Sequence, residues 1–258
     1  MMNYNFDRVS EQYDESRGMP PGVAEQICQW VLSRLPADPA IAEIGVGTGR
    51  IALPFIRQGV RYTGFDISEQ MVARLREKLG GEPHRAQLHL ADINEQLPVP
   101  AQSQDAVIAV HILHLVDPTR ALPQVRRILK PGGALAWGYE THDDDAPRQR
   151  IRQYFRQTVA KMSGAKWRPF HPPAAQALLA EWGARVEQHT VAAWTEPETP
   201  RKALTHIVQR TMSFTWELDD ALIQEGMRLT QPWAEQEFGD LDRPYAIQKR
   251  FLADWYQF

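Results

Sequence analysis

The chain is poor in cysteine, has no long apolar run and has no surplus of either charge. Each lack narrows what it can be. Cys28 is the single cysteine among 258 residues. One thiol builds neither a disulfide framework nor a cysteine-rich metal site, so no metal is expected and a reducing, cytoplasmic compartment is the natural setting. Cys28 lies in the amphipathic run VAEQICQWVL, residues 23–32, where it reads as a core residue. No apolar stretch is long enough to cross a bilayer. The opening MMNYNFDR lacks the apolar region of a signal peptide. Lysine and arginine number 29 against 32 acids, a net charge of -3. That leaves no electrostatic footprint for nucleic acid or for an anionic membrane, and neither is expected as a partner. The length suits one sizeable domain rather than two.

What is present centres on Ile41–Arg50, IAEIGVGTGR. It begins as a buried strand should, passes through glycines, and runs into a helical stretch from Ile51. Strand, glycine turn and helix together bring backbone N–H groups close to a ligand. The glycines run G-x-G-x-G, at Gly45, Gly47 and Gly49, whereas the dinucleotide fingerprint is G-x-G-x-x-G. An acid, Glu43, precedes the first glycine by two residues. A carboxylate there suits an ammonium better than a pyrophosphate, which favours a ligand carrying an amino group beside a nucleoside. A second acid, Asp66, ends the apparent strand Val60–Phe65, near the spacing at which nucleotide-binding α/β folds place a ribose-binding carboxylate. The other reading of Asp66 is a strand end or helix cap before Ser68–Met71. Asp105–Val110 is a continuous apolar run of the kind that forms a buried central strand. His111 and His114 follow at its carboxyl end, the end that faces the ligand crevice in a parallel sheet.

These motifs resemble those of the class I S-adenosylmethionine-dependent methyltransferases, in particular small-molecule enzymes of the methyltransferase type 11/25-like kind. E-x-G-x-G-x-G matches motif I. Asp66-Ile67-Ser68-x-x-Met71 matches D-x-S-x-x-M, Asp92-Ile93 matches the adenine-binding pair, and Leu129-Lys130-Pro131-Gly132-Gly133 matches the post-motif before a strand. The lead-in FDRVSEQYDESR is similar to an N-terminal segment that folds over the cofactor, which implies Tyr13 as a wall and Arg17 near the cofactor's carboxylate. The resemblance implies a Rossmann-like, doubly wound α/β fold with a mainly parallel seven-stranded sheet and an antiparallel last strand. It implies S-adenosyl-L-methionine as cofactor. By the same match the cofactor residues are Tyr13, Arg17, Glu43, Gly45, Gly47, Gly49, Asp66, Ile67, Met71, Asp92, Ile93 and His111. His111, His114 and Glu140 are candidates to act on the acceptor. The N/D-P-P-Y sequence of adenine-N6 and glutamine methyltransferases is absent after Val110.

The organisation expected is one methyltransferase domain. Residues 1–40 form an arm and helix, 41–140 the cofactor-binding core, and 141–258 a helical cover with the last strands. Basic residues recur in Arg148–Arg156, a run that ordinarily marks a solvated helix face. Thr199-Pro200 predicts a helix start, Asp219–Phe238 a helix broken or kinked at Pro232, and Gln248–Phe258 a last strand. Helical covers carry apolar walls, for which Trp194 and Trp216 are the candidates. The expected activity is methyl transfer to a small-molecule acceptor. A non-catalytic protein that binds S-adenosylmethionine or S-adenosylhomocysteine is the alternative, and a nicotinamide-dependent oxidoreductase is disfavoured by the glycine spacing and Glu43. Monomer and homodimer both stay open.

Overall fold

The computed structural model describes residues 19–81, 83–167 and 172–258. Its helices are α1 (Val23–Leu32), α2 (Ala52–Arg57), α3 (Glu69–Leu79), α4 (Pro118–Ile128), α5 (Pro147–Ser163), α6 (Pro173–Glu181), α7 (Pro200–Val208) and α8 (Asp220–Phe238). Its strands are β1 (Ala40–Ile44), β2 (Arg61–Asp66), β3 (Ala86–Leu90), β4 (Gln104–Val110), β5 (Leu129–His142), β6 (Arg185–Glu198) and β7 (Tyr245–Gln257). One seven-stranded sheet runs β3-β2-β1-β4-β5-β7-β6. The pairs from β3 to β5 are parallel and the last strand is antiparallel, the Rossmann-like arrangement expected.

The strand pattern follows from burial. β1 is buried at every residue and β4 at all but Asp105, as central parallel strands covered on both faces must be. β3 lies at the sheet edge and none of its residues is fully buried. Ile44 registers with Phe65 on one side and with Ala109 on the other, so the carboxyl ends of β1, β2 and β4 finish level. Strand order reverses about β1, and a ligand crevice forms at such a switch point.

The chain divides into two compact units. The α/β unit holds the described residues up to Tyr139, those of 172–192, and Phe251–Phe258. Its core packs Ile44, Phe65, Val107, Leu135 and Trp137 of the sheet with Leu122 and Val125 of α4 and Leu179 of α6. The helical unit holds 140–167 and Ala193–Arg250. Its own core joins Ile151, Phe155 and Val159 of α5 with Leu204 and Ile207 of α7 and Ile223 and Ala234 of α8. Thr199 caps α7, its side chain accepting from the Lys202 N–H at 3.2 Å, as its position before Pro200 predicts.

Two expectations are corrected. Of the break or kink expected at Pro232, the break does not occur: α8 is one continuous helix through it. Packing holds it: Trp233 stacks on Tyr154 with ring centroids 4.2 Å apart, and a Cβ added at Gly226 would lie 2.7 Å from Phe155. β5 starts five residues before the expected Ala134, at Leu129, because a register shift between Gln104 and Ala106 of β4 absorbs the Lys-Pro-Gly-Gly turn into the pairing.

Candidate active site

The carboxyl ends of β1, β2 and β4 converge on the glycine turn. Gly45 leaves β1 with its N–H donating to the Phe65 carbonyl at 2.8 Å, and the Val46 N–H shares that acceptor at 2.9 Å. Gly45 sits at φ 72°, and a Cβ there would meet the Ile112 side chain at 2.9 Å. Glycine is thus needed at this point for both conformation and closeness. Gly47 also has positive φ, 53°, but among the described residues nothing lies within 4 Å of where its Cβ would be. The Gly47 backbone therefore borders open space, where a ligand can approach the main chain. Gly49 closes the turn, its N–H donating to the Val46 carbonyl at 3.1 Å.

Asp66 joins this turn directly. Its Oδ2 accepts from the Gly47 N–H at 2.8 Å and its Oδ1 accepts from the Ser68 N–H at 2.9 Å. Two backbone donors thus fix the carboxylate at the carboxyl edge of the sheet, beside the open face of Gly47. Ser68 caps α3, accepting from the Met71 N–H at 3.2 Å. Ile67 between them is an exposed apolar side chain, 54% accessible, of the kind that a stacked ring could cover. Met71 is buried in the core, so its side chain does not border this space.

Glu43 is placed differently from the ammonium partner pictured above. It is 2% exposed, and its Oε2 accepts from the Tyr62 hydroxyl at 2.7 Å. Burial pushes its carboxyl up to about 8, against the pull of that hydrogen bond and of Arg50. Its immediate partner is a phenol on β2, which sequence reasoning missed.

Past β3, Asp92 is half-buried and its Oδ1 accepts from both the backbone N–H (2.8 Å) and the side-chain amide (2.9 Å) of Asn94. The Asn94 Oδ1 accepts from the Asp117 N–H at 2.9 Å, which ties this loop to the start of α4. The two-residue spacing of Asp92 and Asn94 is the Asx-turn signal that could have marked the pair. Ile93 is buried in the α/β core. His111 follows β4 with φ 54°, a strained backbone for a residue with a Cβ and one found often at functional sites. Its N–H donates to the Gly138 carbonyl at 3.2 Å. His114 is half-buried three residues on. Glu140 belongs to the helical unit. Tyr13 and Arg17 lie outside the described residues.

The geometry thus brings Gly45, Gly47, Asp66 and the loop after β4 together. A nucleoside fits what is there: an open main-chain edge at Gly47, and a carboxylate able to accept from vicinal hydroxyls.

Residues 42–137 match the family model described as "Methyltransferase domain". An uncharacterized methyltransferase of Mycobacterium tuberculosis is 27% identical over 214 residues, 83% of this chain and 79% of that protein. The ubiquinone/menaquinone biosynthesis C-methyltransferase of Geobacter sulfurreducens is 38% identical over 99 residues, 36% of this chain and 38% of that protein. Among solved structures, YcgJ from Bacillus subtilis has a TM-score of 0.52 at 16% identity, covering 90% of this chain and 97% of that one. A phosphoethanolamine-type N-methyltransferase of Haemonchus contortus, solved with phosphomonomethylethanolamine and S-adenosylhomocysteine, has a TM-score of 0.52 at 17% identity, covering 98% of this chain and 58% of that one. At these identities the two structures speak for the fold.

Proposed function

We propose that this chain, a class I S-adenosylmethionine-dependent methyltransferase, transfers the methyl group to a small-molecule acceptor. The observation that supports the reading is the Gly47–Asp66 bond, which sets a carboxylate against an open main-chain edge. In this reading Asp66 accepts from the ribose hydroxyls, Ile67 packs on the adenine, and Asp92 with Ile93 holds the far edge of the base. Glu43 acts from below, orienting the turn through β1. Tyr13 and Arg17 close the cofactor end. A cytoplasmic setting goes with the reading, supported by the lone cysteine. No described helix is long and apolar enough to cross a membrane.

When bound, S-adenosylmethionine supplies a methyl group already activated on a sulfonium. The protein's task is to hold the acceptor's nucleophile in line and to keep water out. A base is needed only where the acceptor must lose a proton. His111 is the first candidate, because its strained backbone sets it at the end of β4. His114 and Glu140 are the others. Trp194 and Trp216, the candidates for apolar walls, both belong to the helical unit. Both tryptophans are half-buried, with Nε1–H donating to Glu196 and to the Arg210 carbonyl respectively.

The test is incubation with methyl-labelled S-adenosylmethionine and a whole-cell extract, followed by size separation. Label in the small-molecule filtrate supports the reading. Label confined to protein or nucleic acid contradicts it.

A further inference from the structure

The helical unit carries a line of half-buried arginines that form no salt bridge among the described residues. Arg148, Arg152 and Arg156 recur every fourth residue along α5, so they share one side of the helix. That side runs next to Ile151, Phe155 and Val159, all fully buried in the unit's core. The three arginines are drawn partly out of water, while Gln153 and Gln157 take the solvent face. Of the run expected as a solvated face, these three arginines are half-buried beside the core.

Like charges at this spacing repel. Among the described residues, no carboxylate lies within ion-pair distance of any of the three guanidinium groups. Aromatic faces hold only the last of them, with the Arg156 guanidinium 5.0 Å from the Trp167 ring and 5.9 Å from the Phe214 ring. Burial, then Arg156 and Arg148, bring Arg152 down to about 10.

The strands of the same unit bring further polar groups near these arginines. Lys249 of β7 is 6% exposed and pairs with Glu196 of β6. Glu198, 4% exposed, accepts from the Arg148 backbone N–H, yet its Oε1 is buried with no hydrogen-bond partner. His142 at the end of β5 has a buried Nδ1 in the same condition. Burial, then the charges of Arg152, Lys249 and Arg148, press His142 down to about 4, so its ring is neutral near pH 7. A buried polar atom without a partner is destabilising, and such atoms ordinarily find one. Here both lie in the field of Arg148 and Lys249, and His142 also in that of Arg152.

We propose that Arg148 and Arg152, with Lys249 and the His142 Nδ1 beside them, form a binding site for an oxyanion, a carboxylate or a phosphate, carried by a small molecule. The planar guanidinium fork matches the paired oxygens of either group. Neutral His142 donates through Nδ1 in the tautomer that places the proton there. Glu198 accepts from a hydroxyl or amine next to the anion. Assigning the oxyanion to the acceptor rests on the methyltransferase reading; the site itself does not.

Thermal unfolding of the full chain tests it, with inorganic phosphate and acetate titrated separately at constant ionic strength. At least one anion raises Tm saturably by several degrees, as a ligand bound only to the folded state must. Phosphate alone marks a phosphate-bearing ligand, and acetate alone a carboxylate-bearing one. Arg152→Met abolishes the rise, yet without anion it is no less stable than the parent, since it relieves repulsion. Arg228→Met, which touches only an exposed pair with Glu225, keeps the rise. Equal responses in the parent and Arg152→Met, or none in either, overturn the site. Should Arg152→Met fail to fold, phosphorus NMR of phosphate titrated with the parent and Arg152→Lys decides, and an absence of saturable broadening overturns it. S-adenosylhomocysteine binding, measured on the same samples, is unchanged by Arg152→Met. Its loss in the parent with the anion response intact sinks the methyltransferase reading and leaves the site standing.

Discussion

The two units of this chain bury charge in opposite ways. In the α/β unit each buried or half-buried acid has a partner from the unit itself. Glu43 is met by the Tyr62 hydroxyl, Asp254 by the Gln188 side-chain amide at 2.9 Å, and Asp105 by Lys130 at 2.8 Å and the Ala40 N–H at 2.8 Å. In the helical unit the half-buried arginines of α5, Arg148, Arg152 and Arg156, form no salt bridge with a described carboxylate, although Glu198 feels the charge of Arg148. The difference teaches how to tell a finished core from a poised one. Buried polar groups that are paired stabilise or at least do not cost. A surplus of one sign held out of water costs stability, and a ligand of the opposite sign recovers it.

If the helical unit's charges oppose folding, its apolar core alone must hold it. Phe155 is fully buried there and lies against Gly226 and Phe214. Phe155→Ala should cost about 3–5 kcal/mol through lost transfer energy and a cavity, measured by urea unfolding. A cost below about 1 kcal/mol would mean that something other than this core holds the unit.

The paired acids of the α/β unit give the next effect. Tyr62→Phe leaves Glu43 buried without its phenol and should cost about 1–3 kcal/mol, the price of an orphaned buried acceptor. Glu43→Gln in the same background should recover part of it. A Tyr62→Phe protein as stable as its parent would show that the phenol does not support the acid.

The smallest effect is a contrast in pH response. Glu43 is raised by burial from 4.5 to about 8, so the folded state binds the extra proton between those values. Its contribution is present below about 4.5 and is lost as pH rises through 8. His142 is lowered by burial, and then by Arg152, from 6.5 to about 4. Its contribution is present above about 6.5 and is lost as pH falls through 4. Glu43→Gln should therefore flatten the loss of Tm on the alkaline side, and His142→Gln the loss on the acid side. Matching profiles for the two variants would erase the contrast.

Much of the α/β unit was legible because its signals are local. Apolar runs marked β1 and β4, glycines at fixed spacing marked the turn, and Ser68 and Thr199 marked helix starts that their caps realise. What stayed illegible depends on neighbours distant in sequence. Nothing around Glu43 announces Tyr62, 19 residues on. Met71 fits a cofactor motif, but its side chain points into the core. Pro232 should break a helix, yet the stacking of Trp233 on Tyr154 carries α8 through it. The arginines of α5 look like a surface by composition. Only the position of Phe155 and its neighbours shows which side of the helix is inside.

The central claim is that the glycine turn and Asp66 form one nucleoside-binding edge. Calorimetry with S-adenosylhomocysteine and NAD, on the parent and on Asp66→Ala, tests it most directly. Asp66→Ala removes a charged acceptor of the ribose hydroxyls, which should weaken S-adenosylhomocysteine by about 1–3 kcal/mol, roughly tenfold to a hundredfold. The parent should bind S-adenosylhomocysteine and not NAD. Unchanged affinity in a folded Asp66→Ala protein, or binding of NAD in place of S-adenosylhomocysteine, would contradict the account.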